Sequence, residues 1–412
     1  MPKALYICYF GVREPLVRTQ VLPYLREIVK DGVEMHLLTF EPENWSSEDA
    51  DAEVRSLAEQ GITWHRRRYH KWPSVPATLF DILVGIFSVR SLTKRFDFDI
   101  LHARVHLPAL MASIARRLMR RKPKILFDIR GFFPEEYTDA GIWPENGWLY
   151  RTAKSIERWL LKEVDGFVVL TEKGRDLLFP ESKGLGLDRH GRPVAVIPCC
   201  VDAKRFEAVQ DSTQSELRRK LGLEDRLVIA YVGSFGGWYL SEEMYEFLKT
   251  AKEMDPRAFA MILTQRGLES VRHRMNDIGF ENGDFLVRQV SPSEVPDFLS
   301  AADLSISFIL QCYSKIGASP TKIAEYLACG LPIVSGPGVG DIDELIDTDK
   351  VGVLLKDFSS EAYWTAFEEI CRVIEEPNIK EKCFESARRR FDLDHVGGPA
   401  YRALYQTLLN EK

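Results

Sequence analysis

Short hydrophobic runs alternate along the chain with longer segments that have the spacing of amphipathic helices. In the first half the runs lie at residues 4–10, 33–40, 99–102, 124–129, 166–170 and 194–198. Between the first two, residues 20–30 place Val21, Leu25 and Ile28 on one side of a helix. Runs that are apolar throughout are typical of strands buried on both faces, so the pattern predicts a parallel sheet covered by helices.

The same pattern starts again after a polar segment, residues 211–221, that is predicted to be helical. Its hydrophobic runs lie at residues 227–233, 258–263, 284–290, 304–309, 332–335 and 352–355. We therefore predict an α/β protein made of two doubly wound, Rossmann-like domains that are joined near residues 198–210. Open parallel sheets bind ligands at the carboxyl ends of their strands, so we expect the two domains to face each other across a cleft.

The composition is that of a globular protein, and the charge distribution adds one feature to it. The 412 residues are 45% hydrophobic and 28% charged, and their formal net charge of −6 argues against a general nucleic-acid binder. Residues 1–198 hold 30 basic and 26 acidic side chains, whereas the remainder holds 25 and 35. The basic excess is concentrated in residues 60–124, which contain 14 basic and three acidic residues.

An apolar stretch, residues 79–87, lies between the two basic clusters of this band, residues 66–71 and 116–124. Asp81 interrupts the stretch, and it is shorter than the roughly 20 apolar residues that span a bilayer. Two interpretations stay open. The first is an amphipathic helix that packs into a domain core. The second is a surface within residues 66–124 that binds an anionic membrane, to which each Lys or Arg contributes about 1 kcal/mol.

The seven cysteines are odd in number and include no C-x-x-C pair, and the chain does not begin with a secretory hydrophobic segment. We therefore expect a reduced, cytoplasmic setting. His and Cys residues show no metal-ligand spacing. No G-x-G-x-x-G follows the first predicted strand, which argues against a Rossmann oxidoreductase.

Residues 317–332 (GASPTKIAEYLACGLP) have the caps expected of a helix of about ten residues. Ser319 suits the N-cap, Pro320 suits the first turn, and Gly330 suits the C-terminal cap. The N-terminus of such a helix presents backbone N–H groups and a positive dipole end, which favour phosphate.

Three side chains of this predicted helix have the spacing that a nucleoside diphosphate requires. Thr321 adds a hydroxyl donor and Lys322 adds a cation beside the expected phosphate. Glu325 lies one turn further along the same side, where its carboxylate can accept hydrogen bonds from ribose hydroxyls. The alternative is a well-capped helix with a Lys–Glu pair on its surface, and the spacing alone does not decide between the two.

The segment 320–332 resembles the donor-site motif of the family 4 retaining glycosyltransferases of the GT-B fold. Other segments resemble the same family in the same order, namely residues 196–206 (its interdomain segment), 231–233 (the first strand of its donor domain), 297–303 (the helix before its donor-site strand) and 336–346 (the loop and helix after the motif). The resemblance covers nearly the whole chain and is strongest in the C-terminal half.

The resemblance implies an acceptor-side domain at residues 1–198 and a donor domain at residues 199–395. The last helix, residues 396–412, is expected to return to the N-terminal domain. Within the donor domain the resemblance implies that Glu325 holds the donor ribose. The other expected donor-binding residues are Gly233, Ser234, Gly236, Ser319, Thr321 and Lys322.

Two departures from the family pattern concern the donor. The first of the family's paired glutamates falls on Gly317, and the Arg and Lys that usually follow the donor-domain strand are absent from residues 234–239. We therefore expect Lys322, helix-terminal amides and the Gly-rich backbone of residues 233–237 to meet the charge of the diphosphate.

In the N-terminal domain the family often has a His near the reacting sugar, and Arg130 occupies the corresponding place, with Asp128 two residues earlier on the same face. An Arg cannot be a general base, because its pKa exceeds about 12, but it can hold a leaving phosphate or an anionic acceptor. Together with His102 these are the candidate catalytic residues, and an ordinary strand-end ion pair is the alternative for Asp128 and Arg130. Candidate acceptor-side residues are Arg13, Arg104 and Glu135.

The function implied by the resemblance is that of a retaining hexosyltransferase. It would move a sugar from a UDP- or GDP-sugar to a cell-envelope glycan or a lipid-linked acceptor. It is expected to need no cofactor or metal, and to be cytoplasmic and peripheral on the inner face of the membrane. The alternatives are a nucleotide-sugar epimerase or hydrolase of the same fold, and a nucleotide-sugar-binding subunit without activity.

Overall fold

The computed structural model describes residues 1–207 and 211–410, which fold into two compact α/β units. Unit 1 consists of Met1–Pro198 and the C-terminal segment from Leu393, and unit 2 is Cys199–Asp392. Two stretches named above lie outside the described residues: 208–210 in the expected connection and 411–412 at the end of the last helix.

Unit 1 is built on a parallel sheet of seven strands in the order β3-β2-β1-β4-β5-β6-β7. The strands are β1 (Lys3–Cys8), β2 (Glu34–Glu41), β3 (Ile62–Arg68), β4 (Ile100–Arg104), β5 (Lys124–Asp128), β6 (Gly166–Val169) and β7 (Val194–Val196). Every position of β1 from Ala4 to Cys8 is buried, as expected for a strand covered on both faces. At the carboxyl edge Arg104 of β4 pairs in register with Asp128 of β5.

The helices that precede the C-terminal segment of unit 1 are α1 (Pro15–Gln20), α2 (Leu22–Val29), α3 (Ser47–Glu59), α4 (Ser74–Phe96), α5 (His106–Arg117), α6 (Phe133–Asp139), α7 (Trp148–Glu163) and α8 (Glu172–Leu178). The sequence predicts one helix over residues 20–30, whereas the structure has the two helices α1 and α2, which meet at Val21. The backbone of Val21 is not helical (φ −125°, ψ −64°), and Pro23 in the first turn of α2 has no N–H to continue the earlier helix.

The structure contains strand β3, which the sequence pattern does not predict. Ile62 and Trp64 are buried, but Arg66 and Arg68 are exposed, so the strand has no continuous apolar run. It lies at the edge of the sheet and pairs with β2 up to Glu41 and Arg68. The three consecutive arginines that the sequence presents as a basic cluster are therefore the end of an edge strand.

Unit 2 is built on a parallel sheet of six strands in the order β10-β9-β8-β11-β12-β13. The strands are β8 (Leu227–Val232), β9 (Ala258–Leu263), β10 (Phe285–Arg288), β11 (Leu304–Ser307), β12 (Ile333–Ser335) and β13 (Gly352–Leu354). The helices are α9 (Lys204–Glu207), α10 (Asp211–Leu221), α11 (Ser241–Met254), α12 (Leu268–Asp277), α13 (Val295–Ser300), α14 (Thr321–Ala328), α15 (Ile342–Asp349), α16 (Ser360–Ile374) and α17 (Ile379–Phe391). Two hydrophobic clusters form the core of this unit.

Several side chains bond the C-terminal helix α18 (Gly398–Asn410) to the rest of unit 1. The Tyr401 hydroxyl donates to Asp128 Oδ2 at 3.0 Å. Tyr405 and His102 share a hydrogen bond of 2.9 Å between the hydroxyl and Nδ1. Arg402 forms an ion pair of 2.7 Å with Glu27 of α2. Tyr401 and Tyr405 therefore bond α18 to ionisable side chains of β4 and β5.

We predict that Tyr401→Phe lowers the free energy of unfolding by about 1.5–3 kcal/mol, because it removes a hydrogen bond to a buried carboxylate. Urea denaturation followed by far-UV circular dichroism measures this change. Tyr313→Phe is the matched control, since Tyr313 is exposed. Equal stabilities of the two variants would contradict the assigned role of Tyr401.

Candidate functional site

The candidate donor residues lie at the carboxyl edge of the unit 2 sheet. Strands β8 and β11 are neighbours, because Leu304 pairs with Ile229 and Ser305 with Ala230. In a parallel sheet the carboxyl ends of neighbouring strands meet at one edge. The loop after β8, residues 233–239, and the connection from β11 to α14 therefore start side by side.

Lys322 is a buried cation in the first turn of α14, with 7% of its surface exposed. Its Nζ lies 4.3 Å from the ring centre of Tyr231 and 4.4 Å from that of Tyr239, and it has no hydrogen-bond partner among the described residues. Burial lowers the pKa of this ammonium group to about 7, while the nearby Glu325 raises it. An anion placed at Nζ would stabilise the protonated form.

Gly233 brings the backbone after β8 against this ammonium group. Its φ is 142°, a value that side chains rarely adopt, and a Cβ at this position would lie 2.8 Å from Lys322 Nζ. A side chain at position 233 would therefore displace the lysine. This contact gives Gly233 a defined place in the site.

Glu325 is partly buried one turn after Lys322 on α14. Burial raises the pKa of its carboxyl to about 7, and Arg205 and Lys322 oppose that rise. It has no ion pair with Lys322 within 4.0 Å, so the two are not the surface Lys–Glu pair of the alternative interpretation. A carboxylate and an ammonium group thus lie one helical turn apart, each with capacity for a ligand.

The start of α14 differs from the sequence prediction. The helix begins at Thr321 with Pro320 as its N-cap, and no side chain caps it. Ser319 Oγ instead accepts a hydrogen bond of 3.1 Å from the Cys199 amide, so its expected capping role is wrong. Gly330 takes a positive φ of 74° just after the helix, as predicted, but α14 has eight residues rather than about ten.

The loop after β8 is held by its own hydrogen bonds. The Tyr231 hydroxyl donates to the carbonyl oxygen of Ser234 at 2.5 Å, and the Gly236 amide donates to Ser241 Oγ at 2.9 Å. Gly236 and Gly237 both have positive φ, 78° and 65°, which explains why glycine stands there. The Gly236 amide therefore has a partner within the loop in this structure, and its expected role in donor binding stays a prediction.

Two residues at this edge were not among the sequence-based candidates. Lys315, in a short 3-10 helix before α14, is buried, and its Nζ lies 3.8 Å from the ring centre of Trp238. The indole Nε1 of Trp238 is buried without a hydrogen-bond partner among the described residues. Lys315 precedes the recognised motif and follows no pattern, so nothing in the sequence indicates it.

Unit 1 contains a separate cluster of charges at the carboxyl edge of β4 and β5. Asp128 has no exposed surface, and it lies 3.7 Å from a nitrogen of each of His102, Arg104 and Arg130. Burial by itself raises the pKa of Asp128, but Arg130, His102 and Arg104 outweigh it and hold the pKa at about 2. The expected ion pair of Asp128 with Arg130 is thus present within a larger network.

The side chains of the candidate catalytic residues and of Arg104 are all almost fully buried. His102 is buried, and burial lowers its pKa below the usual value in spite of the Asp128 carboxylate. Arg104 is also buried, and it donates to the Gln20 carbonyl oxygen at 3.2 Å. The Arg130 side chain is only 5% exposed and donates to Gln20 Oε1 at 3.3 Å. All four side chains, including that of Asp128, present almost no surface to a substrate in this structure, and their roles in catalysis or acceptor binding stay predictions.

The two other acceptor-side candidates lie apart from this network. Arg13 lies over the Trp45 ring at 3.8 Å and forms an ion pair of 3.3 Å with Asp49.

Glu135, in the first turn of α6, accepts a hydrogen bond of 3.2 Å from the Tyr150 hydroxyl and pairs with Lys154 at 3.0 Å. Its Oε2 is buried without a partner among the described residues. Arg13 and Glu135 thus each have partners of their own in this structure, and their acceptor-side roles stay predictions.

The basic band is partly neutralised within unit 1. Acidic side chains face the cluster at 116–124 in the ion pairs Arg116–Glu163, Arg116–Asp165, Arg117–Glu163, Arg121–Asp97 and Arg121–Asp99. Four acidic residues form these five pairs: Asp97 and Asp99 lie within the band, and Glu163 and Asp165 follow it in the sequence. The charge excess counted along the sequence therefore overstates the charge of this surface.

Helix α4 carries an exposed apolar surface between basic side chains. Leu79, Phe80, Leu83 and Phe87 are more than half exposed along one side of the helix. A groove of about 480 Å³ lies along it, lined by Arg67, Phe80, Leu83, Val84, Phe87, Ser88 and Ser91. By length and composition α4 would reach across a membrane, with a mean hydropathy of 1.6, but 44% of that window is buried in unit 1. The remaining side of α4, hereafter the α4 surface, is unpartnered among the described residues.

Comparison with known families matches each unit of the chain. Residues 17–200 match the family model of the glycosyl transferase 4-like domain, and residues 213–390 match glycosyl transferases group 1. Among curated proteins, alpha-D-kanosaminyltransferase of Streptomyces kanamyceticus is 22% identical over 245 residues. That match spans 57% of this chain and 58% of the length of the relative.

Solved structures resemble nearly the whole chain. Anabaena HepE in complex with UDP and glucose has a TM-score of 0.68 at 16% identity, covering 98% of this chain and 100% of that one. Sucrose-phosphate synthase from Thermosynechococcus elongatus has a TM-score of 0.72 at 13% identity, covering 99% and 100%. WaaG, a glycosyltransferase involved in lipopolysaccharide biosynthesis, has a TM-score of 0.67 at 14% identity, covering 97% and 99%. The chain therefore belongs to the glycosyltransferases of the GT-B fold, with a glycosyl transferase 4-like domain followed by a glycosyl transferases group 1 domain.

Proposed function

We propose that this protein is a retaining hexosyltransferase that uses a nucleoside diphosphate sugar as its donor. Of the two donor classes, we favour UDP-sugars over GDP-sugars. The observation that carries the proposal is the buried ammonium group of Lys322, which has no hydrogen-bond partner in the described residues and lies against Gly233. A diphosphate supplies the anion that this group lacks. The presence of UDP in HepE, a relative of the same fold, supports the choice of base.

Lys322 and Glu325 divide the donor between them in this proposal. The diphosphate oxygens lie at Lys322 Nζ, and the ribose hydroxyls donate to the Glu325 carboxylate, one helical turn away. Because Lys322 is buried, its field acts on the diphosphate through little water and is correspondingly strong. We propose that ammonium groups of the protein, rather than a bound metal or cofactor, meet the diphosphate charge.

The transfer step needs a cation more than it needs a protein base. As the bond between the anomeric carbon and the diphosphate oxygen breaks, negative charge grows on that oxygen, and Lys322 stabilises it. The acceptor hydroxyl attacks from the same face and gives its proton to the leaving diphosphate oxygen. The anomeric configuration is retained, and the products are the glycoside and the nucleoside diphosphate.

We predict that Lys322→Met and Glu325→Ala each weaken UDP binding by about 1–3 kcal/mol, the range for loss of a charge-assisted hydrogen bond. Isothermal titration calorimetry with UDP and GDP measures the effect. Lys356→Met is the matched control, because Lys356 is an exposed lysine of the same unit. Unchanged affinity in both variants would remove the proposed donor site.

We predict opposite pH dependences of UDP binding in two variants. In Glu325→Gln the remaining titrating group is Lys322, whose pKa near 7 must rise when an anion binds, so affinity falls by up to tenfold per pH unit between pH 7 and 9. In Lys322→Met the remaining group is Glu325, whose ionised form accepts the ribose hydroxyls, so affinity does not fall over this range. Parallel pH profiles of the two variants would contradict these assignments.

Analysis of the reaction products distinguishes a transferase from the hydrolase, epimerase and binding-subunit alternatives. Wild-type protein is incubated with a panel of UDP- and GDP-sugars and acceptor glycans, and the products are analysed by NMR. A new glycoside with the donor's anomeric configuration supports a retaining transferase. Free sugar or an epimerised nucleotide sugar would instead indicate the hydrolase or epimerase alternative, and bound but unchanged donor would indicate a binding subunit.

We further propose a cytoplasmic protein that is peripheral on the inner face of the membrane and acts on a cell-envelope glycan or lipid-linked acceptor. The support is the α4 surface, where four large apolar side chains lie beside the exposed basic residues Lys71, Arg90 and Lys94. Apolar side chains at the level of the headgroups and basic side chains beside anionic lipid are the two contributions that interfacial helices combine. An acceptor with a lipid tail would then be met at the bilayer.

We predict that the protein floats with vesicles that contain phosphatidylglycerol and does not float with vesicles of phosphatidylcholine alone. The double variant Leu83→Asp with Phe87→Asp should lose flotation, because both side chains are exposed and carry the apolar contact. Leu185→Asp is the control, since Leu185 is exposed outside the α4 surface. Equal recovery with both vesicle types would refute the membrane proposal.

A further inference from the structure

Lys315 lies at the same edge of unit 2 as Lys322, and both lysines contact the loop after β8. The Nζ of Lys315 lies over Trp238, and that of Lys322 lies over the next residue, Tyr239. Both side chains are buried. One ammonium group from the connection between β11 and α14 and one from the first turn of α14 thus lie on adjacent rings of one loop.

The backbone around Lys315 is fixed by hydrogen bonds. Its carbonyl oxygen accepts from the Ala318 amide at 3.1 Å and from the Gly340 amide at 2.9 Å. The second bond ties the short helix Tyr313–Gly317 to the loop before α15. Lys315 is therefore carried by a defined backbone at the carboxyl edge of the sheet.

The charge of a diphosphate exceeds what Lys322 alone provides. A nucleoside diphosphate sugar carries two negative charges on its two phosphates, whereas Lys322 contributes at most one positive charge. Residues 233–239 of the loop after β8 include no Lys or Arg. The Nε1–H of Trp238 is also buried there, and it has no hydrogen-bond acceptor among the described residues.

The order of groups along the chain indicates which phosphate each lysine meets. Glu325 is assigned to the ribose, and Lys322 lies one turn nearer the N-terminus of α14. Lys315 precedes both residues in the sequence and lies before the helix begins. In the donor the ribose, the first phosphate, the second phosphate and the sugar follow one another in the same sequence.

We propose that Lys315 is the second diphosphate-binding cation of this site and contacts the phosphate that carries the sugar. In this structure its ammonium group lies over the Trp238 ring in a cation–π contact. This inference rests on the proposed donor site, since it assigns one further residue to it. The sugar-bearing phosphate is the leaving group, so Lys315 would also stabilise the charge that develops during transfer.

The test compares a nucleoside diphosphate with the monophosphate of the same base. UDP and UMP, and GDP and GMP, are titrated into the wild-type chain, Lys315→Met, Lys322→Met and the control Lys356→Met by calorimetry. Lys315→Met should weaken diphosphate binding about tenfold or more and change monophosphate binding less than twofold. Lys322→Met should weaken both ligands. Lys315→Arg, which keeps the charge, should restore much of the diphosphate affinity, and it serves as the folded comparison if Lys315→Met melts early.

The outcomes distinguish the two proposals. If the wild-type chain binds UDP or GDP but Lys315→Met binds it equally well, the role of Lys315 is refuted and the donor site stands. If Lys315→Met weakens monophosphate and diphosphate alike, Lys315 does not meet the second phosphate and the inference is also refuted. If the wild-type chain binds neither UDP nor GDP, the proposed donor fails, and the assignment of Lys315 fails with it.

Discussion

A buried lysine without an oxygen partner is the constraint on which the donor site depends. The ammonium group of Lys322 is enclosed by the rings of Tyr231 and Tyr239 and by the backbone of Gly233. Removing a cation from water is costly, and the rings offset only part of that cost. The part of this desolvation cost that the rings do not offset lowers the pKa of Lys322. A group that is expensive to bury and unsatisfied in the described residues is suited to bind an anion.

In unit 1, by contrast, a buried charge is compensated by neighbouring groups. The Asp128 carboxylate has no exposed surface, but cations and the Tyr401 hydroxyl surround it, and its pKa is lowered rather than raised. The network also binds α18 through Tyr401 and Tyr405. A charge that is compensated in this way stabilises the fold. We therefore interpret Asp128 and His102 first as residues that hold the C-terminal helix in unit 1.

The sequence predicts the fold well where apolar runs are continuous. Strands such as β1 and β9 are buried over nearly their whole length, and their continuous apolar sequences predict this directly. Strand β3 was missed because an edge strand needs only one apolar face, and Arg66 and Arg68 occupy its exposed positions. The position of the α14 helix followed from Pro320 and Gly330, but the partner of Ser319 did not, because Cys199 is far away in the sequence.

The candidate site could be predicted from the sequence only where its residues have a local spacing. Lys322 and Glu325 belong to a local spacing on one helix, and a spacing of three residues can be read directly from the sequence. Lys315 and Trp238 meet only through the packing of the loop after β8 against the connection before α14. The tyrosines of α18 reach Asp128 and His102 from about 270 and 300 residues away. Contacts of this kind have no local pattern, so only the folded structure reveals them.

A crystal structure of the protein with UDP tests the central claim most directly. The account predicts phosphate oxygens within hydrogen-bond distance of Lys322 Nζ, and ribose hydroxyls within hydrogen-bond distance of the Glu325 carboxylate. Gly233 should remain against the Lys322 side chain. Diphosphate bound elsewhere, with Lys322 still enclosed by Tyr231 and Tyr239 and without an oxygen partner, would contradict the account.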